Sequence, residues 1–149
     1  MWNAHLGETL YLDSNILIFA IEEGSGWTGL LRELFEAIDE GRIAAVTSRL
    51  SLAEVLVKPF AAGADGLVSR YTMLFDSEVA LRIGPVDRDV LIEAARLRAT
   101  LDLRLADAIH LATANIAGCD RFVSNDRRLG SKLGARPSWL PLDAPGLRT

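Results

Sequence analysis

Residues 9–22 read TLYLDSNILIFAIE. A short apolar strand ends at Asp13, and the apolar run 14–22 continues from it as a helix, with Asp13 or Ser14 as the cap. A strand that ends on a carboxylate and runs directly into a helix is the opening unit of an α/β sheet. The same alternation recurs along the chain. Strands are expected at 43–47, 79–83 and 121–124, and helices at 27–40, 48–60, 67–75, 87–101, 103–117 and 126–133. The helix over 27–40 carries Leu30, Leu31, Leu34, Phe35 and Ile38 at spacings of three and four and stops at Gly41. Gly118 stops the helix over 103–117, and Pro59 is expected to break the one over 48–60. Residues 139–142 can add an edge strand.

Alternating strands and helices imply a parallel sheet with helices on both faces, joined by right-handed crossovers. Ligands in such sheets bind beyond the carboxyl ends of the strands. The 149 residues make one domain, with a core over about 9–134 and residues 135–149 as an edge strand or loose tail.

Composition narrows the function classes. Half of the residues are hydrophobic and 24% are charged, which argues against disorder. Cys119 is the single cysteine, so neither an internal disulfide nor a thiolate zinc cluster is available, and a reducing cytoplasm is expected. A small buried hydrophobe near a helix end describes it better than a reactive thiol. No apolar run is long enough to cross a bilayer, and MWNAHLGE lacks the features of a signal peptide. The net charge of −4 argues against nucleic-acid binding by bulk charge alone. It does not argue against an acidic centre that recruits a metal before a phosphate approaches. The cations are nearly all Arg, with only Lys58 and Lys132 as lysines.

Four acids stand out by position. Asp13 and Asp126 follow apolar strands, Glu54 lies on the helix after the second strand, and Asp107 lies on an apolar helix. Each has a plain alternative. Asp13 suits a helix cap, and Asp126 a helix cap or an Asx turn. Ser51-Leu52-Ala53-Glu54 fits a capping box. Asp107 can pair with Arg104 one turn away. Yet Glu54 and Asp107 sit among apolar neighbours, and the helix around Asp107 looks buried on all sides. A buried carboxylate without a partner is protonated or destabilising, so a bound cation accounts for it better. Four clustered carboxylates repel one another unless divalent ions neutralise them. With no His/Cys ligand set, the expected ion is Mg²⁺ or Mn²⁺.

The chain resembles the PIN-domain ribonucleases, and among them the VapC-type toxins of toxin–antitoxin pairs. The resemblance rests on Leu12-Asp13-Ser14-Asn15, on residues 51–55 (SLAEV), on residues 105–114 (LADAIHLATA) and on residues 122–126 (FVSND). It implies a PIN-like three-layer sandwich with a central parallel sheet of four or five strands. It implies a Mg²⁺- or Mn²⁺-dependent endoribonuclease, an RNA substrate, a cognate antitoxin and a homodimer. Asp13, Glu54, Asp107 and Asp126 would form the acidic site and hold the metal. Asn15 would orient Asp13, and Ser124 and Asn125 would hydrogen-bond the site or the phosphate. Metal-assisted hydrolysis of this kind leaves 5′-phosphate and 3′-hydroxyl ends.

Arg104, Arg127 and Arg128 lie near these motifs and can steer phosphates, with solvated surface charge as the plain alternative. His110 lies three residues past Asp107, as a general acid or as a structural histidine bonded to a backbone carbonyl. Trp27 and its leucine stripe belong to the core or to a partner surface. Rival functions fit less well. An aspartyl-phosphate phosphatase places a second Asp two residues after the first, where this chain has Asn15. Dinucleotide binding needs a glycine-rich turn after the first strand. A PIN-like module that binds RNA or protein without cleavage remains the alternative, and the four intact acids speak against it.

Overall fold

The computed structural model describes residues 1–77 and 80–147. Among these, five strands form one parallel sheet in the order β3-β2-β1-β4-β5. The strands are β1 (Thr9–Leu12), β2 (Ala44–Ser48), β3 (Leu81–Gly84), β4 (Arg121–Val123) and β5 (Ser138–Leu140). The helices are α1 (Ser14–Ile21), α2 (Thr28–Asp39), α3 (Arg49–Ala61), α4 (Asp65–Ser77), α5 (Arg88–Thr100), α6 (Leu105–Ile116) and α7 (Arg127–Gly130). Val79, expected to open the third strand, lies outside the described residues.

Side chains alternate across β1, which divides the core into two layers. Leu10 and Leu12 face a cluster with Ile16 and Leu17 of α1, Leu31 and Leu34 of α2, and Tyr71 and Phe75 of α4. Tyr11 points the other way, to Val90 and Ala94 of α5, Ala108 and Ala112 of α6, and Phe122. The result is a sheet between two helical layers.

The strand order turns around at β1. β2 and β3 lie on one side of it, and β4 and β5 on the other. The crevice beyond the carboxyl ends of β1 and β4 is therefore the switch point where such sheets bind ligands. Helices that run against the parallel strands start at this same end, so the first turns of α3 and α6 also face it.

Most elements differ from expectation by one or two residues at their ends. Three regions stand out. α3 runs through Pro59 to Ala61 instead of breaking there. Proline forfeits one helical hydrogen bond. Pro59 is buried, only two helical residues follow it, and Gly63 closes the turn at φ +63°. Of the two alternatives for residues after Gly134, the described part takes the edge strand. β5 pairs with β4, and Leu140, Leu142 and Leu147 are buried in the first cluster. At the other end a short 3-10 turn (Asn3–His5) places Trp2 in the core, where its Nε1 donates to the Leu30 carbonyl at 2.9 Å. Cys119 is buried just past α6, and burial pushes its thiol up to about 12. No described helix is long and apolar enough to cross a membrane.

Candidate active site

A cleft of about 450 Å³ opens at the switch point, and Asp13, Glu54, Asp107 and Asp126 all line it. They come from four elements, which is why no short motif announces the set. Asp13 follows β1 and caps α1, Asp126 follows β4 and caps α7, Glu54 lies on α3, and Asp107 lies in the first turn of α6.

Asp13 is 8% exposed. The Ser14 amide donates to its Oδ1 at 2.7 Å and the Ser124 hydroxyl to its Oδ2 at 2.7 Å. The capping alternative thus holds for one oxygen while the other is gripped from β4. Burial raises the Asp13 pKa, opposed by His110, Ser124 and the Ser14 amide, and Glu54 adds to the rise. Ser124 also accepts from the Asp126 amide at 3.0 Å, so one buried hydroxyl ties the two strand-end acids together. Asn15 is exposed on the cleft wall, and the Ser14 and Ser124 groups do the holding expected of it.

The capping box around Glu54 is absent. Ser48 caps α3 by accepting from the Leu50 amide, and Ser51 sits inside the helix against Thr47 at 2.8 Å. The Thr47 hydroxyl donates in turn to the Leu12 carbonyl at 2.7 Å, which locks the start of α3 onto β1. Glu54 therefore owes nothing to the helix end. Its Oε1 meets His110 Nε2 at 2.5 Å.

His110 is buried, and its Nδ1 hydrogen-bonds the Tyr11 hydroxyl. Its partners are therefore side chains on both sides, and not the backbone carbonyl expected of a structural histidine. Burial works against its protonation, but the Glu54 hydrogen bond and the carboxylates of Asp13, Glu54 and Asp107 outweigh that and raise its pKa. The sequence reading missed Tyr11. Its only signal was the alternation of TLYL, which turns it away from Leu10 and Leu12 toward α6. It stacks on Phe122 at 4.8 Å between ring centroids. The cleft also includes Glu22, which accepts from the Tyr71 hydroxyl, and Lys58.

Asp107 corrects the expectation of a carboxylate buried without a partner. Its side chain is partly exposed, because Leu105 and Ile116 face solvent and α6 is not enclosed all round. Its partner is Arg128 and not Arg104. Arg128 Nη2 donates to Asp107 Oδ2 at 2.6 Å and to Asp126 Oδ2 at 3.4 Å. Asp126 meanwhile caps α7, accepting from the Leu129 amide at 3.1 Å. Arg127 points away, to Asp143 at 2.6 Å and over the Trp139 ring. Arg104 is exposed at the start of α6 and forms no ion pair with the described residues. Asn125 turns from the cleft too, accepting from the Leu142 amide at 2.8 Å.

The donor set suits a hard divalent cation, since its cleft-facing groups are carboxylates and the one imidazole is engaged at both nitrogens. A cation is already accommodated between Asp107 and Asp126 in the form of a guanidinium. As the side chains stand, no three acidic, imidazole or thiol groups among the described residues form a ready cage.

A family model of the PIN domain matches residues 10–132. The chain belongs to the PIN-domain family. Solved structures of other proteins share its fold at low identity. One is VapBC2 from Rickettsia felis bound to a DNA fragment from their promoter, with TM-score 0.69, 14% identity, and 89% of this chain and 98% of that chain covered. Another is VapC20 of Mycobacterium tuberculosis, described as a sarcin-ricin loop cleaving toxin, with TM-score 0.67, 14% identity, and coverage of 83% and 96%. A toxin–antitoxin complex from Klebsiella pneumoniae has TM-score 0.65, 21% identity, and coverage of 88% and 95%. No curated protein matches this chain in sequence.

Proposed function

We propose that this PIN-domain chain is a divalent-metal-dependent endoribonuclease acting as the toxin of a VapBC-type pair. The observation that carries the reading is the convergence of Asp13, Glu54, Asp107 and Asp126, from four separate elements, on one cleft at the sheet's switch point. Likeness to VapC20, described as a sarcin-ricin loop cleaving toxin, supports RNA as substrate. Likeness to VapBC complexes supports an antitoxin partner. A homodimer in the cytoplasm belongs to the same reading.

Asp13 and Asp107 would hold Mg²⁺ or Mn²⁺ most directly, with Glu54 and Asp126 completing the acidic ring. Such a cation supplies charge neutralisation at the phosphoryl oxygens and acidifies nearby water. The chain's own groups do the positioning. Ser124 and the Ser14 amide fix both oxygens of Asp13. His110, braced by Tyr11, fixes one oxygen of Glu54 and leaves the other for the cleft. In this role His110 is a positioning residue, because both its nitrogens are committed. The carboxylates that line the cleft repel phosphate until cations are bound.

The test is cleavage of RNA by purified protein with Mg²⁺ or Mn²⁺, and its loss in excess EDTA. Products should carry 5′-phosphate and 3′-hydroxyl ends. Undiminished cleavage in EDTA rejects the metal reading, and absence of cleavage under any divalent ion rejects the nuclease.

A further inference from the structure

The orientation of Arg128 is built by the fold. α7 is seated by Gly130, where an added Cβ would lie 2.3 Å from the Trp139 ring. Trp139 is itself fixed by an Nε1 hydrogen bond to the Ser124 carbonyl at 2.8 Å. With α7 so placed, Arg127 leans over the indole toward Asp143, and Arg128 is left facing the cleft acids. One Nη2 spans Asp107 and Asp126, which belong to different elements.

A guanidinium and a divalent ion make different demands on the same oxygens. Arg128 meets Asp107 at hydrogen-bond length, 2.6 Å. Mg²⁺ requires oxygens at about 2.1 Å in near-octahedral array, so the ion and the Arg cannot both use these Oδ2 atoms fully. A planar guanidinium also matches a phosphate in a two-pronged way that it matches few other anions. We propose that Arg128 is the counter-ion that Asp107 and Asp126 hold until a divalent cation takes them, and that the released guanidinium then binds the RNA phosphate entering the cleft. This inference rests on the metal-dependent reading above. It makes Arg128 a substrate ligand whose release is linked to metal loading. The acids are thereby kept from repelling one another before the ion arrives, and a phosphate-binding group is freed only when the ion is there.

The experiment uses the full chain, stripped of metal, as wild type, Arg128→Gln and Arg104→Gln. Arg104→Gln removes an equal charge beside the same helix turn without touching a bridge. Mn²⁺ is titrated calorimetrically into each. A labelled single-stranded RNA oligonucleotide is then bound in saturating Ca²⁺ and followed by fluorescence anisotropy. Arg128→Gln should bind Mn²⁺ about threefold to fivefold tighter than wild type, the scale of one lost surface ion pair. The same variant should bind the RNA more weakly by a similar factor, while Arg104→Gln moves the Mn²⁺ affinity little. A merely structural brace would weaken both. Arg128→Lys, which keeps the charge but loses the planar span, should fall between the two and serves if the Gln variant does not fold. Unchanged or weaker Mn²⁺ binding by Arg128→Gln, an equal gain in Arg104→Gln, or unchanged RNA binding overturns the proposal while leaving the nuclease reading intact. Failure of the wild type itself to bind Mn²⁺ overturns both.

Discussion

Glu54 Oε1 and His110 Nε2 lie 2.5 Å apart, although 56 residues separate them in the chain. The contact joins α3 to α6 across the floor of the cleft, and the Tyr11 hydroxyl on the other ring nitrogen completes a side-chain relay. Because the carboxylates raise the His110 pKa above its ordinary 6.5, the folded state favours the imidazolium. The stabilisation is fully present below 6.5 and is lost as pH rises through the folded-state value. Metal-free protein should therefore melt at lower temperature as pH climbs from below 6.5 into the alkaline range. Glu54→Gln removes the first of the raising groups and should flatten that slope. Melting curves in EDTA for both proteins across the range check this, and parallel slopes would reject the Glu54–His110 linkage.

Ser124 is buried and serves two acids at once, donating to Asp13 and accepting from the Asp126 amide. Ser124→Ala should cost about 1.5–3 kcal/mol in chemical denaturation, as expected for a lost hydrogen bond to a charged group. It should also lower RNA cleavage by roughly 10- to 100-fold, the usual penalty for removing support from a ligand. A variant that loses stability but cleaves normally would remove Ser124 from the site's support.

How far the sequence spoke for the structure depends on the range over which each signal acts. The β1–α1 unit was plain in TLYLDSNILIFAIE, because strand, cap and helix are local. Asp13 and Asp126 were legible because each follows a strand, where a parallel sheet gathers side chains, and Glu54 and Asp107 because they stand among apolar neighbours on helices. Asp107 was misjudged for a reason of packing: LADAIHLATA looks apolar all round, yet Leu105 and Ile116 stay exposed and Arg128 supplies the partner. Tyr11 and Trp2 were hidden because their partners are distant in the chain. The Tyr11–His110 bond spans 99 residues and the Trp2–Leu30 bond 28. Hydrophobic periodicity identifies faces but not which side chain meets which across a sheet.

Gly130 offers a test of how α7 is seated. A methyl group there would collide with the Trp139 ring at 2.3 Å, and that ring is bonded to the Ser124 carbonyl and packed under Arg127. Gly130→Ala should cost about 1–3 kcal/mol through overpacking. It should also reduce cleavage, since displacement of the indole moves the loop that carries Asp126. Denaturation and activity measured side by side check the pair of effects, and an unperturbed protein would mean that α7 can shift without consequence.

Asp13 should show stability and activity pulling apart. Burial holds its pKa above the ordinary 3.8, so the ionised carboxylate is disfavoured in the fold. That penalty is absent well below 3.8, grows as pH rises through the folded-state value, and is complete above it. Asn in its place carries no charge, and the Ser124 hydroxyl can rotate to pair with either end of the amide. In EDTA at neutral pH, Asp13→Asn should therefore melt at a higher temperature than the wild type, with the gain vanishing in acid. Cleavage should fall by at least about 100-fold, because the amide replaces the carboxylate proposed as a metal ligand. Adding Mn²⁺ should raise the wild-type melting temperature and leave the variant nearly unmoved. Should the variant prove less stable at neutral pH, or bind Mn²⁺ as well as the wild type, then Asp13 is neither strained by its burial nor a ligand.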